Sequence, residues 1–304
     1  MVDLDLLLEK TSRTFALSIP LLPEPTRREV TVAYLLFRVA DTFEDSSRWP
    51  RRDRIEALDA FCEILERPEP AEAERLAAYW VSEMPLTHEG YQELMNEMPF
   101  VLERYAELGD EARELVREHT IRTARGMAGF VASTGDDGRL QLKSLQDLRD
   151  YCYAVAGIVG EMLTELFLVG RESLAPVAPY LRERSRAFGE GLQLVNILKD
   201  SAADVREGRA YIPPGVERSE VFALARRDLE AASEYTLELQ GAGAERGLVA
   251  FNALPVRLAR ATLDHIEREG PGAKISRDDV WRIVASLDEA LEANRPAVSP
   301  PIHA

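Results

Sequence analysis

The sequence has few cysteines and few histidines. Among its 304 residues there are two cysteines, Cys62 and Cys152, and four scattered histidines. Two cysteines cannot supply a disulfide framework for a chain of this size, which indicates a reducing compartment. The histidines show no HExxH or Cys/His metal spacing, which argues against a zinc enzyme. The sequence also lacks a Walker loop, a GxSxG elbow and a GxGxxG turn after a strand, so no Rossmann-type nucleotide site is expected.

Basic residues are fewer than acidic ones, and the sequence has no long apolar run. The chain has 53 acidic against 37 basic residues, a formal net charge of -16. Because nucleic-acid phosphates bind to stripes of Lys and Arg, we expect no nucleic-acid partner. No run approaches the roughly 20 apolar residues that cross a bilayer, and the acidic N-terminus does not resemble a secretory signal. We therefore expect a cytoplasmic protein, with peripheral contact at the inner membrane surface as a second option.

Apolar residues recur at helical spacing in almost every long segment. One such stripe contains Val30, Ala33 and Phe37. Alternating β-branched runs bounded by hairpin turns are nearly absent. Clusters of Pro, Gly and Asp mark short connections, and none is long enough to read as a domain linker. The sequence therefore predicts an all-α fold in one domain, residues 1–293, followed by a flexible tail, residues 294–304, that carries three prolines.

Two acidic clusters follow strongly apolar helical turns. Asp41 and Asp45 are four residues apart and share one helix face. The second stripe comprises Gln193, Asn196, Asp200 and Asp204. Like charges on one face repel each other and call for a counter-charge, and Mg²⁺ suits carboxylates that share it with phosphate oxygens. The pattern favours Mg²⁺ with a diphosphate between the clusters. The alternative is two solvated helix faces, which are common in so acidic a chain.

A third segment is rich in small residues. Gly157 and Gly160 lie within an apolar helical pattern, where each glycine costs about 1 kcal/mol relative to alanine. They favour close helix packing, and the alternative is an opening for a long apolar ligand.

Five short motifs occur in the order and at the approximate spacing of one family. They are Ser12-Arg13-Thr14-Phe15, Tyr34…Arg38…Asp41-Thr-Phe-Glu-Asp45, Tyr151-Cys-x-x-Val-Ala-Gly-x-Val-Gly160, Gln193-x-x-Asn196-Ile-Leu-Lys-Asp200-x-x-x-Asp204 and Gly208-Arg209-x-Tyr211-Ile-Pro213. Each motif alone is weakly diagnostic, whereas the series is specific. Over about residues 11–287 the chain resembles the squalene/phytoene synthase family, the head-to-head branch of the trans-isoprenyl diphosphate enzymes.

The resemblance implies an all-α isoprenoid synthase bundle in which two aspartate motifs face each other across a central cavity. The implied Mg²⁺ ligands are Asp41, Glu44, Asp45, Asn196, Asp200 and Asp204. The implied diphosphate-binding and supporting residues are Ser12, Arg13, Arg38, Gln193, Asn196, Lys199 and Arg209. The implied catalytic residues are Tyr34, Arg38, Tyr151 and Phe251. The second aspartate motif, Asp200 to Asp204, has Ala203 where many relatives carry an acid. The resemblance therefore implies weaker binding of one metal ion.

Two later segments resemble the squalene-forming members. They are Phe251-Asn-Ala-Leu-Pro255 and Lys274-Ile-Ser-Arg277. The resemblance implies that two farnesyl diphosphates join to presqualene diphosphate, which is then reduced to squalene by NADPH bound with the help of Lys274 and Arg277. For these two cations the alternative is a helix-start loop with ordinary surface charges.

Two other functions are weighed against the squalene-forming reaction. One is a phytoene or dehydrosqualene synthase that performs no reduction. The other is a noncatalytic helical assembly protein, which is disfavoured because all four aspartates are present. Peripheral contact with a membrane would serve the release of an apolar product.

Overall fold

The computed structural model describes residues 3–12, 14–135 and 140–300. The chain packs as two units, the first formed by Met1–Ile19 with Glu24–Leu140 and the second by Pro20–Pro23 with Gln141–Ala304. Helices make up nearly all of the regular structure in each unit, which confirms the all-α prediction. The prediction of one domain over residues 1–293 stays a prediction.

The described part of the first unit forms eight α-helices. They are α1 (Leu4–Thr11), α2 (Phe15–Ser18), α3 (Thr26–Asp45), α4 (Arg51–Glu66), α5 (Pro70–Glu83), α6 (Glu89–Asn96), α7 (Met98–Ala106) and α8 (Asp110–Ala132). A 3₁₀ turn, Ile19–Leu21, follows α2. Helix α3 is the central one, since it packs against α1, α4, α6, α7 and α8.

The apolar stripe of α3 explains its position. Val32, Leu35, Val39 and Phe43 follow the helical period, and all four are fully buried. The Phe43 ring lies 4.6 Å from the Trp80 ring of α5, edge to face. Truncating a buried aromatic side chain costs about 3–5 kcal/mol, so this aromatic contact is expected to fix the end of α3 that carries the first carboxylate pair.

The second unit is built around one long helix. Its strands and helices are β1 (Leu140–Gln141, at the boundary of the units), α9 (Leu145–Cys152), α10 (Ile158–Leu168), α11 (Ala178–Arg206), β2 (Arg209–Ala210), α12 (Arg218–Gly241), α13 (Arg246–Glu269) and α14 (Arg277–Glu292). A π-helical turn, Tyr153–Gly157, joins α9 to α10, and a 3₁₀ segment, Glu172–Val177, precedes α11. Helix α11 packs against α9, α10, α12 and α13.

Glycines allow the backbones of α10 and α11 to touch. A Cβ atom on Gly160 would lie 2.0 Å from the carbonyl oxygen of Ser185. A Cβ atom on Gly189 would lie 2.0 Å from the carbonyl oxygen of Ala156 in the π-helical turn. No side chain fits at either place, which confirms the packing interpretation of the small-residue segment. This contact holds α11, and α11 carries the second carboxylate stripe.

One continuous helical stretch, Leu145–Leu168, is long and apolar enough to cross a membrane by length and composition, with a mean hydropathy of 1.3. This corrects the expectation that no segment approaches the necessary length. The stretch contains α9, the π-helical turn and α10. The core helix of a globular protein can have the same length and composition, and 56% of the most apolar part of this stretch is buried within the protein.

The described part of the predicted tail follows α14 and contacts α12. Ala297 and Val298 are buried. The Gln240 side-chain amide donates to the carbonyl oxygen of Arg295 at 2.9 Å, and its oxygen accepts from the Ala297 N–H at 2.8 Å. The last four residues of the chain lie outside the described residues.

Candidate functional site

The first carboxylate pair lies on the last turns of α3. The side chain of Asp41 is 32% exposed, and Asp45, one turn later, is exposed. The guanidinium NH1 of Arg38 lies 3.0 Å from Asp41 Oδ2. Burial raises the pKa of Asp41 to about 6, while Arg38 acts in the opposite direction and Asp45 adds to the increase. A carboxylate that resists ionisation because of burial and a like charge is stabilised by a nearby cation.

Glu44 differs from its two neighbours in burial. Its residue exposure is 6%, and Arg54 NH1 donates to its backbone carbonyl at 2.9 Å. Of the three acids in this motif, Asp41 and Asp45 are the accessible ones. The role of Glu44 as a metal ligand stays a prediction.

Tyr34 links this pair to the end of α1. Its hydroxyl donates to the carbonyl oxygen of Thr11 at 2.9 Å and accepts from Arg38 Nε and NH2 at 3.3 and 3.1 Å. The tyrosine therefore fixes the direction of the Arg38 side chain. The charged end of Arg38 lies between a carboxylate and a phenol, and the arginine side chain is 23% exposed.

The residues expected to bind diphosphate next to α1 are Ser12 and Arg13. The Ser12 hydroxyl oxygen accepts from the Phe15 N–H at 2.9 Å and so satisfies a free backbone group at the start of α2. Arg13 lies outside the described residues. The binding roles of both residues stay predictions.

The cluster contains a residue that the sequence did not predict, Tyr91 of α6. The guanidinium carbon of Arg38 lies over its ring, 5.7 Å from the ring centre, and also lies 5.5 Å from the centre of the Tyr34 ring. Tyr91 belongs to none of the five motifs, and its segment reads only as a short amphipathic helix. No sequence signal connects it to Arg38.

The second carboxylate stripe runs along the last turns of α11, as its spacing predicts. Lys199 Nζ donates to Asn196 Oδ1 at 3.1 Å and lies 3.3 Å from Asp200 Oδ2. The Asp200 side chain is 44% exposed. Gln193, one turn before Asn196, is half-buried. The structure thus brings the predicted amide, ammonium and carboxylate groups together on one helix.

Arg209 stands beside the last acid of this stripe. Its NH2 lies 3.8 Å from Asp204 Oδ1 and donates to Glu207 Oε2 at 2.6 Å. Asp204 therefore has a cationic neighbour, as Asp200 has in Lys199. A metal ion bound to either carboxylate would compete with that cation and leave it available for phosphate oxygens.

The two predicted catalytic residues of the second unit, Tyr151 and Phe251, each pack against another aromatic ring. The Tyr151 hydroxyl donates to the Tyr211 hydroxyl at 3.1 Å, with ring centres 4.7 Å apart, and both residues are buried. Phe251 of α13 is buried edge to face against Phe167 of α10, with ring centres 5.7 Å apart. Tyr211 lies in the fifth family motif, but none of the implied roles falls on it. The catalytic roles of Tyr151 and Phe251 stay predictions.

Lys274 and Arg277 lie at the start of α14, and both are exposed. Ser276 caps that helix with its side chain, which is the helix-start arrangement of the alternative interpretation. The same loop nevertheless touches the second stripe, because the Gly272 N–H donates to the Lys199 carbonyl at 2.7 Å. The geometry is compatible with both interpretations of the two cations.

Neither cluster forms a complete protein cage for a metal ion. Within residues 3–12, 14–135 and 140–300, no three His, Cys, Asp or Glu side chains lie close enough together to hold one by themselves. Mg²⁺ usually takes only one or two carboxylates and completes its octahedron with water and substrate phosphate. A pair of accessible aspartates on a helix fits that requirement, because it supplies hard oxygen donors and leaves positions for phosphate.

The chain has the all-α isoprenoid synthase fold, as its superposition on a solved structure shows. A solved structure of TcSQS with the ligand E5700 is 23% identical and superposes with a TM-score of 0.78, covering 95% of this chain and 87% of that one. The chain belongs to the squalene/phytoene synthase family, because the model of that family matches residues 8–216. This confirms the resemblance carried by the five motifs.

Curated relatives are named squalene synthases. The Botryococcus squalene synthase of Botryococcus braunii is 29% identical over 202 residues, which cover 66% of this chain and 39% of that protein. The squalene synthase of Schizosaccharomyces pombe is 28% identical over 207 residues, which cover 68% of this chain and 43% of that protein. The chain thus spans less than half the length of these relatives.

Proposed function

We propose that this chain is a prenyltransferase of the squalene synthase type that joins two farnesyl diphosphates head to head. The observation that carries the proposal is the pairing of each carboxylate cluster with its own cation. Arg38 lies 3.0 Å from Asp41, and Lys199 lies 3.3 Å from Asp200. Carboxylates for a metal and cations for phosphate are the groups that an ionising allylic diphosphate needs. Membership of the family supports the same reaction class.

The first step is the departure of diphosphate from an allylic carbon. The carbon–oxygen bond breaks, its electron pair stays on the diphosphate, and an allylic cation remains on the prenyl chain. Mg²⁺, when bound, would neutralise the charge that develops on the leaving group. We propose that Asp41 and Asp45 would bind Mg²⁺ in the first unit and that Asp200 and Asp204 would bind it in the second. This division of labour ionises a poor electrophile without a strong acid.

The basic residues of both clusters take part in the same step. We propose that Arg38, Lys199 and Arg209 donate hydrogen bonds to diphosphate oxygens. Each already lies next to a carboxylate, so its charge is in place before the leaving group departs. Charge-assisted hydrogen bonds from preorganised donors are among the stronger contributions to transition-state stabilisation.

The aromatic residues suit the cation that results. Tyr151 and Tyr211 are buried and fix each other by a hydrogen bond between their hydroxyls. Ring faces attract cations, and a buried aromatic surface excludes the water that would quench an allylic cation. We propose that Tyr151 lies beside the reacting carbons, with Tyr211 holding its ring, and that Phe251 contributes to the second half of the reaction.

We further propose that the condensation product is reduced to squalene by NADPH. Lys274 is an exposed cation of the loop before α14, whose Gly272 contacts the Lys199 carbonyl, and Arg277 is an exposed cation at the start of α14. Two such cations fit phosphate groups of a nicotinamide nucleotide. The competing function is a phytoene or dehydrosqualene synthase that stops before reduction. Addition of NADPH separates the two, since only the reducing enzyme changes its product.

We also propose a cytoplasmic protein with peripheral contact at the inner membrane surface, where an apolar product leaves. Val205 and Trp281, both in the second unit, are 63% and 62% exposed, and tryptophan favours the membrane–water interface. Co-sedimentation of the purified protein with lipid vesicles tests the contact. Equal sedimentation of the wild type and Trp281→Ala would contradict a role of Trp281 in this contact.

The experiment that tests the proposed function is product identification. Purified protein is incubated with farnesyl or geranylgeranyl diphosphate, with and without Mg²⁺ and NADPH, and the extracted products are identified. The expected result is Mg²⁺-dependent conversion of farnesyl diphosphate to a C30 product that NADPH changes to squalene. A product unaffected by NADPH would favour the nonreducing function, and the absence of any conversion would favour a noncatalytic protein.

A further inference from the structure

The start of α6 is fixed on the end of α1 by contacts that lie outside the family motifs. Gly90 is buried, and a Cβ atom there would lie 2.4 Å from the carbonyl oxygen of Lys10. The Lys10 ammonium also donates to both carboxylate oxygens of Glu93, at 2.8 and 2.5 Å. A backbone contact and an ion pair therefore define where the first turn of α6 sits. Tyr91 projects from that turn.

Tyr91 is held from a second side by His88. The two rings are stacked, with centres 4.2 Å apart and an angle of 29° between their planes. The Tyr91 N–H lies 3.4 Å from His88 Nδ1, so the same histidine caps the helix. The Tyr91 ring is thus positioned by the contact of α6 with α1 and by the stacked His88 ring.

The guanidinium of Arg38 is flanked by two aromatic rings of different origin. Tyr34 comes from the same helix, one turn earlier, and Tyr91 comes from α6; the ring centres lie 5.5 and 5.7 Å from the guanidinium carbon. Both distances are within the roughly 6 Å range of cation–π attraction. Tyr34 is itself tied to the Thr11 carbonyl at the end of α1. Both rings are therefore anchored at the end of α1, Tyr34 through Thr11 and Tyr91 through the contact of Gly90 with Lys10.

We propose that Tyr91 is a positioning residue that holds the Arg38 guanidinium in place for the substrate diphosphate. This inference rests on the proposed function and assigns to that site a residue from outside its motifs. Tyr91 acts through Arg38, and Tyr34 and Asp41 act on the same guanidinium from its other sides.

The physical reason is preorganisation. Arginine has a long side chain whose rotamer entropy is lost when it binds an anion, and a side chain already held in place loses less. The contact with Asp41 cannot supply this alone, because a metal ion on Asp41 competes for the same carboxylate. Attraction by a ring face does not depend on the occupancy of Asp41. Tyr91 therefore keeps the guanidinium in position when the carboxylate is shared.

The test uses calorimetric titration with inorganic diphosphate in the presence of Mg²⁺. Tyr91→Leu removes the ring face and is expected to weaken diphosphate binding by about three- to tenfold. Tyr91→Phe keeps the ring and is expected to bind within about twofold of the wild type. The matched control is Tyr79→Leu, the same change at a tyrosine of α5 that is 48% exposed, and binding is expected to stay unchanged.

A double-mutant cycle separates positioning from general support of the fold. In an Arg38→Met background, the further change Tyr91→Leu is expected to cause no additional loss of binding. Circular dichroism melting reports whether each variant folds, and Tyr91→Met provides a second nonaromatic variant if Tyr91→Leu does not. An equal loss in both backgrounds, or a loss in Tyr91→Phe as large as in Tyr91→Leu, would overturn the role of Tyr91. Wild-type protein that binds no diphosphate would instead overturn the proposed function on which that role depends.

Discussion

The Tyr151 hydroxyl donates a hydrogen bond to the Tyr211 hydroxyl at 3.1 Å, although the two residues are 60 positions apart in the chain. The contact joins the end of α9 to the segment directly after β2. That segment is held further by the Leu142 N–H, which donates to the Ala210 carbonyl at 3.3 Å. Two family motifs that are separate in the sequence are therefore one structural group.

Tyr211→Phe tests this group. The change keeps the ring but removes the hydrogen bond between the two hydroxyls, so we expect a loss of about 0.5–1.5 kcal/mol in the free energy of unfolding and a lower kcat. Urea unfolding and steady-state kinetics measure the two effects. Tyr79→Phe at an exposed position is the matched control. Wild-type stability together with wild-type kcat would contradict the coupling.

Gly160→Ala tests the close approach of α10 and α11. The new methyl group would lie 2.0 Å from the Ser185 carbonyl oxygen, and only a backbone shift can relieve such a clash, so we expect a loss of about 3 kcal/mol of stability. The control is Gly129→Ala in α8, where no atom lies within 4 Å of the new methyl group and a gain of about 0.5–1 kcal/mol is expected. Urea unfolding distinguishes the two, and equal effects would contradict the packing.

Asp228→Asn tests a buried carboxylate of α12. Burial raises its pKa to about 6 from an ordinary 3.8, with Arg149 acting against the increase and Glu190 adding to it. Because the folded pKa is the higher one, the stability contributed by the bound proton is complete below about pH 4 and is lost as pH rises through 6. We therefore expect Asp228→Asn, which stays neutral, to be more stable than the wild type by about 1–3 kcal/mol at pH 8.

The measurement is urea unfolding of both proteins at pH 5 and pH 8. The stability difference in favour of the asparagine variant should grow from the lower to the higher pH. Glu289→Gln, at an exposed carboxylate of α14, is the control. A difference that shrinks as pH rises would contradict the assigned direction.

The pH dependence of Mg²⁺ binding tests the first carboxylate pair. Because burial raises the pKa of Asp41 to about 6, a proton competes with the metal below that pH, and affinity should fall by up to about tenfold per pH unit. Calorimetry on Asp200→Asn isolates the first pair, and the further change Asp41→Asn should remove the dependence. Affinity that is constant between pH 5 and 7.5 would contradict the assignment.

Much of the fold is readable from the sequence because it depends on local pattern. The buried stripe of α3 follows the helical period, and the clusters of Gly and Pro within residues 241–246 and 270–273 lie between helices in the structure. The carboxylates that are spaced three or four apart lie on single helices as expected. Local spacing determines these features, so one sequence suffices to predict them.

The features that were missed depend on contacts between distant segments. Tyr91 reaches Arg38 from α6, a helix whose close approach to the end of α1 requires Gly90. The π-helical turn Tyr153–Gly157 interrupts a stretch whose apolar pattern looks like one uniform helix, and it lies where Gly189 packs on the Ala156 carbonyl. No local pattern encodes either arrangement.

The most direct test of the central claim is turnover of farnesyl diphosphate by Asp41→Asn and Asp200→Asn. Both changes keep the side-chain volume and remove a metal-binding charge, so we expect at least about a 100-fold loss of turnover, with the helical circular dichroism spectrum unchanged. Glu111→Gln, at an exposed acid of α8, should match the wild type. Near-normal turnover in both aspartate variants would contradict the proposal that these clusters bind Mg²⁺ with the substrate diphosphate.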